Sequence, residues 1–178
     1  MNLFLKLFIE QTFKRPGAAL DLGAGDYKDA KFLQSLGWKA KGVDIKDRVD
    51  LNFVYLDDDR PFDLVYSNYV LHKIENQENF IETISENLKE NGYFFIHTII
   101  DNISKKKQLE IINEPLKKNN LKLIKSLVRK IYDDDPGHHH WHTILELIGQ
   151  KNQNKIAQDF NTPGLLINHN QQSGSSAK

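Results

Sequence analysis

Apolar residues recur along this chain with two periods, and their alternation sets out the elements. Leu3, Phe4, Leu7 and Phe8 fall at helical spacing within 1–15, so an amphipathic helix is predicted there despite Lys6 and Glu10. Pro16-Gly17 breaks that pattern, and 18–22 reads as a short apolar strand. Ala30, Phe32, Leu33 and Leu36 mark a helix over 29–36 that Gly37 ends. Strands are expected over 39–44, over 51–56 and, past Pro61, over 62–67. Phe80, Ile81, Ile84 and Leu88 share one helical stripe, closed by Asn91-Gly92, and 93–100 is an apolar strand interrupted by His97. A helix follows over 105–119, which Pro115 is expected to kink or shorten. The runs 121–132 and 141–148 have no helix between them, only a turn at Pro136-Gly137, so they should pair antiparallel. Strands that are apolar throughout are those covered on both faces. The order therefore predicts an α/β fold with a doubly wound, seven-stranded sheet, mostly parallel and closed by an antiparallel hairpin. The links on either side of 51–56 are short for full helical crossovers. From 152 to 178 periodicity gives way to Asn, Gln, Ser and Gly, so the organisation expected is a helix over 1–15, a domain over 16–151 and a loosely ordered tail.

Bulk composition changes this picture little. At 178 residues, 39% hydrophobic and 27% charged, the chain suits one soluble domain. Formal net charge is zero, so no global field draws it to nucleic acid or to an anionic membrane. The absence of cysteine excludes thiolate chemistry and a disulfide framework. The first apolar run carries Lys6 and Glu10, has no small-residue cleavage site and is too short to span a bilayer, so a cytoplasmic protein is expected. Charge is nonetheless uneven: Lys and Arg dominate 105–130, which reads as a solvated helix face and strand edge or else as a place for an anionic substrate or an RNA backbone.

The chemistry gathers where the first strand ends. Asp21 is followed by Leu22, Gly23, Ala24, Gly25 and Asp26, a tight turn whose backbone is bare enough for a ligand to approach. Nineteen residues after Gly25, the second strand ends in Asp44, the spacing at which an acid takes a ribose diol. A nucleoside cofactor is expected. Asp21 and Asp26 would repel a pyrophosphate, and the third glycine of the dinucleotide fingerprint is replaced by Lys28. A cationic sulfonium with an ammonium is the opposite case, so charge favours S-adenosylmethionine over NAD.

At these residues the chain resembles the class I S-adenosylmethionine-dependent methyltransferases, which have a Rossmann-like sheet. The matching segments are Leu20 to Gly25, Gly42-Val43-Asp44, Phe62 to Asn68 with Val70-Leu71-His72, and Leu88 to Tyr93. Together they cover 18–150, and the terminal hairpin matches as well. Within the family the chain is similar to the small tellurite-resistance-like and related small-molecule methyltransferases. The resemblance implies that Asp21, Gly23, Ala24 and Gly25 line the methionine end of the cofactor. It implies that Asp44 takes the ribose hydroxyls, that Ile45 packs on the adenine, and that Asp57 (or its neighbour Asp58) reaches the adenine amino group. Asn68 would face the methionine portion and the incoming acceptor. S-adenosylhomocysteine would be the product.

The acceptor side is less defined. His140 and His142 share one face of an extended run with His138, which fits a substrate pocket, a solvated hairpin or a metal ion, and no metal is assigned. His140, His142 and His72 are the candidate bases, with Tyr69 able to orient the acceptor; His72 is equally a structural helix-start histidine, and His97 reads as a core residue. Ser67-Asn68-Tyr69-Val70 is not the run used on exocyclic base amines, which weighs against nucleic acid. With no second domain to read a large partner, a small-molecule acceptor is favoured, and the 1–15 helix could serve as a lid. The other readings are a catalytically silent cofactor-binding module, an RNA or protein methyltransferase, and a nicotinamide-dependent oxidoreductase.

Overall fold

The computed structural model describes residues 2–133 and 139–153. Helix α1 spans Leu3–Thr12, β1 Ala18–Leu22, α2 Lys28–Ser35, β2 Lys39–Val43 and β3 Phe62–Asn68. Then come α3 Gln77–Asn87, β4 Leu88–Ile99, α4 Lys105–Lys118, β5 Leu121–Asp133 and β6 His140–Lys151. The strands form one sheet in the order β2-β1-β3-β4-β6-β5. β2, β1, β3 and β4 run parallel, and β6 is antiparallel to both β4 and β5.

Alternation along the strands feeds two helical layers. Ala19, Leu64, Tyr66, Phe95 and Ile148 face Leu5, Phe8 and Ile9 of α1 and Ala30 and Leu33 of α2. Leu20, Leu22, Val65, Phe94, Ile96, Leu145 and Leu147 face Phe80, Ile81 and Ile84 of α3 and Ile112 and Leu116 of α4. Each layer excludes water from one face of the sheet, which is where most of the stabilisation arises. Gly149 in β6 leaves room for the ring of Phe94: a Cβ there would lie 2.2 Å from Cζ of that ring and 2.5 Å from the Lys122 carbonyl oxygen. Gly149→Ala should therefore cost about 1–3 kcal/mol through overpacking, read as a fall in the urea midpoint at unchanged m-value. An unchanged midpoint would mean that Phe94 moves freely.

Two expectations are corrected. The strand over 51–56 does not form, so among the described residues the sheet has six strands rather than seven, with β2 at one edge. A parallel strand needs a crossover of about a dozen residues, and only 44–50 separate β2 from this run. The run instead lies along α3 and spends its backbone groups there. The Tyr55 N–H donates to Thr83 Oγ1, the Asp57 N–H donates to Asn87 Oδ1, and Asn87 Nδ2 donates to the Tyr55 carbonyl. Nor does Pro115 shorten α4, which continues to Lys118, since a proline in the last turn removes only one N–H. Pro136-Gly137, His138 and the tail beyond 153 lie outside the described residues. Among those residues no helix is long and apolar enough to cross a membrane.

Candidate active site

Parallel pairing brings the carboxyl ends of β1, β2, β3 and β4 to one edge of the sheet. The chain leaves β1 for β2 on one side and returns to β3 on the other, so a crevice opens outside β1, the usual ligand position in such sheets. The glycine turn fills that switch point. The N–H groups of Gly23 and Ala24 both donate to the Val43 carbonyl, at 2.8 and 3.0 Å, tying the turn to the end of β2. Gly23 has φ +78°, and a Cβ there would fall 2.3 Å from Val70 Cγ2. Gly25 also has positive φ, +55°, yet a Cβ on it would meet nothing within 4 Å. The protein's own packing thus accounts for the bareness of Gly23 but not for that of Gly25, beyond its φ.

Asp44 closes the turn from the other side. Its Oδ2 accepts from the Gly25 N–H at 3.0 Å and its Oδ1 from the Lys46 N–H at 3.3 Å. Asp47 accepts from the Asp44 N–H and, at 2.6 Å, from the Tyr27 hydroxyl, which bolts the start of α2 to the end of β2. Ile45, next in chain, is 67% exposed. Removing the Asp44 carboxylate should weaken nucleoside binding about tenfold, since a charge-assisted hydrogen bond is worth about 1.5–3 kcal/mol. Calorimetry of Asp44→Ala with S-adenosylhomocysteine measures it, and an unaltered Kd would remove Asp44 from the site.

Asp21 is buried beneath the turn, level with Tyr66 of β3 in register. Burial first, and then the nearby carboxylates Asp29, Asp44 and Asp26, push its pKa up to about 8, against a lowering contribution from the Tyr66 hydroxyl. The same burial pushes the Tyr66 phenol up. Beside the turn, at Ala24 and Asp26, lies a cavity of about 680 Å³, lined also by Asn2, Asp29, Asn68 and Tyr69 with Leu3, Phe4, Lys28 and Ile131. Asn68, last in β3, donates through Nδ2 to Asp29 Oδ2 at 2.7 Å. Tyr69 follows in a left-handed conformation, φ +60°, with its N–H on the His97 carbonyl at 2.7 Å and its ring edge-on to the His97 imidazole.

The histidines lie beyond Tyr69. His142 Nδ1 is 2.6 Å from Asp101 Oδ2, and its Nε2 is 3.7 Å from Asp133 Oδ2. His140 stacks edge-on to it at 4.3 Å. Burial works against ionisation of Asp101, but the Thr143 N–H and His142 outweigh it and hold the carboxyl below the usual range. None of these groups lines the cavity itself; Ile131, the register partner of His142, does. His72 sits in a single 3-10 turn, where its N–H and Nδ1 both meet Thr98 Oγ1, and burial lowers its pKa. Among the described residues no group of three or more His, Asp or Glu side chains is arranged to hold a metal.

Asp57 stands apart. Without a third parallel strand to carry it to the carboxyl edge, it lies against Asn87, where α3 ends and β4 begins, at the opposite end of the sheet. Lys41 Nζ at 2.9 Å and the Tyr55 hydroxyl at 2.7 Å occupy its carboxylate. Burial raises its pKa, and those hydrogen bonds with the Asp59 N–H bring it below the ordinary value. This acid is a structural anchor for the 51–59 segment, and the adenine contact expected of it is withdrawn. Asn2 and Asp29, which line the cavity, and Asp101, which pairs with His142, are residues that the sequence did not point to.

A profile of the methyltransferase-domain family matches residues 2–150. The chain belongs to that family. Among solved structures it resembles 1,6-didemethyltoxoflavin-N1-methyltransferase of Burkholderia thailandensis, which holds 1,6-didemethyltoxoflavin and S-adenosylhomocysteine. The TM-score is 0.60 at 16% identity, over 83% of this chain and 76% of that one. TehB from Haemophilus influenzae gives a TM-score of 0.66 at 14% identity, over 85% and 62% of the two chains. An S-adenosylmethionine-dependent methyltransferase from Mesorhizobium loti gives 0.58 at 16%, over 76% and 91%. At such identities the likeness is one of fold. No curated protein is significantly similar in sequence. The chain is accordingly an S-adenosylmethionine-dependent methyltransferase, with a Rossmann-like sheet one strand short of the number expected. The residues present fit that cofactor: a bare glycine with open space before it, a ribose-type acid beside it, and a buried acid whose pKa is raised by burial first and then by neighbouring carboxylates, a penalty that a cation would relieve.

Proposed function

We propose that this methyltransferase acts on a small-molecule acceptor, with the cofactor's methionine end against Asp21, Gly23, Ala24, Gly25 and Asn68 and its nucleoside against Asp44 and Ile45. The observation that carries the reading is the cavity of about 680 Å³ that runs from the glycine turn to Tyr69. A cavity of that size suits one small ligand beside a cofactor, and its walls mix carboxylates and amides with Leu3, Phe4 and Ile131. The toxoflavin enzyme offers a parallel, since it holds 1,6-didemethyltoxoflavin beside S-adenosylhomocysteine.

When bound, S-adenosylmethionine supplies a methyl group on a cationic sulfur and departs as a neutral thioether. The protein's share is positioning, together with removal of a proton where the acceptor carries one. Tyr69, fixed by its N–H on His97 and presented by a left-handed backbone, stands at the mouth and orients the acceptor. Asp101 holds Nδ1 of His142, and Nε2, beside Asp133 and outside the cavity lining, takes the proton by way of a water. His140 supports that ring through its edge-on contact. His72, turned onto Thr98, braces the loop after β3. Glutamine at position 142 should lower kcat by about 100-fold at unchanged S-adenosylhomocysteine affinity, the low end for a general base. Equal kcat in the two proteins would assign proton removal elsewhere.

The test of the whole reading is calorimetry with S-adenosylmethionine, S-adenosylhomocysteine and NAD, followed by a turnover screen over small amines, thiols, phenols and carboxylates, with RNA as a further arm. S-adenosylhomocysteine release with a small acceptor is the expected result. Turnover confined to RNA would overturn the acceptor class, and binding of NAD alone would overturn the cofactor assignment.

A further inference from the structure

Asn2 uses every hydrogen-bonding valence it has. Its Oδ1 accepts from the N–H groups of Phe4 and Leu5, at 2.9 and 3.2 Å, which caps α1. Its Nδ2 donates to Asn68 Oδ1 at 3.0 Å and meets His97 Nδ1 at 2.9 Å. Its backbone N–H donates to Asp29 Oδ1 at 2.9 Å. An amide nitrogen only donates, so His97 Nδ1 accepts and the imidazole proton sits on Nε2. Turning the amide over would set two oxygens face to face and leave the α1 cap without an acceptor. The orientation is therefore determined by its partners.

These partners are not a random set. Asp29 opens α2, Asn68 ends β3 and His97 lies in β4, and the first two line the cavity together with Asn2 itself. Asn68 is held from both sides, by Asn2 on Oδ1 and by Asp29 on Nδ2. His97 is fully buried, pressed between the rings of Phe4, Tyr69 and Phe95, and burial lowers its pKa to about 4. A neutral ring with a fixed tautomer can serve as a stationary acceptor for Asn2 at any ordinary pH.

We infer that Asn2 is a positioning residue of the cofactor site: its side-chain amide fixes Asn68 against His97, its backbone N–H holds Asp29, and together they tie α1 to the floor of the cavity. The inference rests on the methyltransferase reading above. It assigns the segment before α1 a role in binding and not merely in helix capping. Cofactor affinity and the seating of α1 are then one property, because the same amide secures both.

Serine at position 2 separates the two roles, since serine caps helices as well as asparagine does but has no amide to donate. Asn2→Ser should melt below the parent, because buried His97 Nδ1 loses its donor, but above Asn2→Ala, and it should weaken S-adenosylhomocysteine about tenfold because Asn68 is no longer held. KM for S-adenosylmethionine should rise more than kcat falls. In the free protein, the ¹⁵N shift of His97 Nδ1 should move when its donor is removed. Asn2→Ala, which loses the cap as well, should show the same affinity loss with a lower melting temperature. Parental affinity and an unmoved His97 resonance in Asn2→Ser would overturn the inference. Failure of the unmutated protein to bind S-adenosylhomocysteine would instead overturn the methyltransferase reading, and the His97 shift, measured without ligand, would still test the contact.

Discussion

Leucine in place of Gly25 should abolish calorimetric binding of S-adenosylhomocysteine and leave a folded protein. The expectation rests on the contrast between the two glycines of the turn. A side chain at Gly23 would drive into Val70, with Cβ 2.3 Å from Cγ2, in a backbone of φ +78°. Gly23→Ala therefore damages packing and binding together and separates nothing. At Gly25 a Cβ meets no protein atom within 4 Å, so the only internal cost is the left-handed backbone, about 1–2 kcal/mol. That lowers the melting temperature by a few degrees in a domain of this size. The side chain itself projects into the space that the turn keeps clear, where it competes with the ligand and not with the core. Far-ultraviolet circular dichroism and the melting curve report the fold; calorimetry reports the site. If Gly25→Leu binds S-adenosylhomocysteine as the parent does, the open space before Gly25 is not where the cofactor lies.

The difference between these glycines also marks how far local sequence reaches. The turn, Asp21 and Asp44 were legible because each is set by short-range spacing: a strand end, two glycines and an acid nineteen residues on. The sheet was legible for the same reason, through runs of apolar residues and breakers. What failed was a pairing. Leu51 to Leu56 has a strand-like composition, but composition does not carry a chain across a sheet. With only 44–50 to make the crossing, the run pairs with side chains of α3 instead. Asp57 follows it to the wrong end of the sheet for a nucleoside contact.

The polar groups around the cavity were missed for a related reason. Asn2 meets Asp29, Asn68 and His97 across 27, 66 and 95 positions, and His142 meets Asp101 across 41. No periodicity or motif encodes such partners; they are consequences of the finished sheet order. A helix-capping asparagine at position 2 was readable in principle, as Asn directly before an apolar helical stripe. Its second role was not, because that role depends on β3 and β4 lying side by side.

Cofactor affinity should depend steeply on pH, and the dependence should vanish in Asp21→Asn. In the free protein, burial and the carboxylates of Asp29, Asp44 and Asp26 hold Asp21 protonated up to about pH 8. A bound cation favours the carboxylate, so binding below that pH releases a proton. The affinity for S-adenosylmethionine then rises with pH, by up to about tenfold per unit, and levels off close to pH 8. Stability moves the other way. The folded pKa lies above the unfolded one, so the contribution of Asp21 is fully present below the unfolded value of 3.8 and is lost as pH rises through about 8. Between those limits the free protein should lose stability that Asp21→Asn retains, and the variant should melt higher than its parent at pH 8.5. Saturating S-adenosylmethionine should narrow or reverse that gap, because only the parent gains a charge partner for its ligand. Calorimetry from pH 5.5 to 8.5 in buffers of different ionisation enthalpy counts the proton directly. A pH-independent Kd with no proton released would mean that Asp21 keeps the same protonation state in the free and bound protein, and would overturn the coupling of cofactor binding to its ionisation.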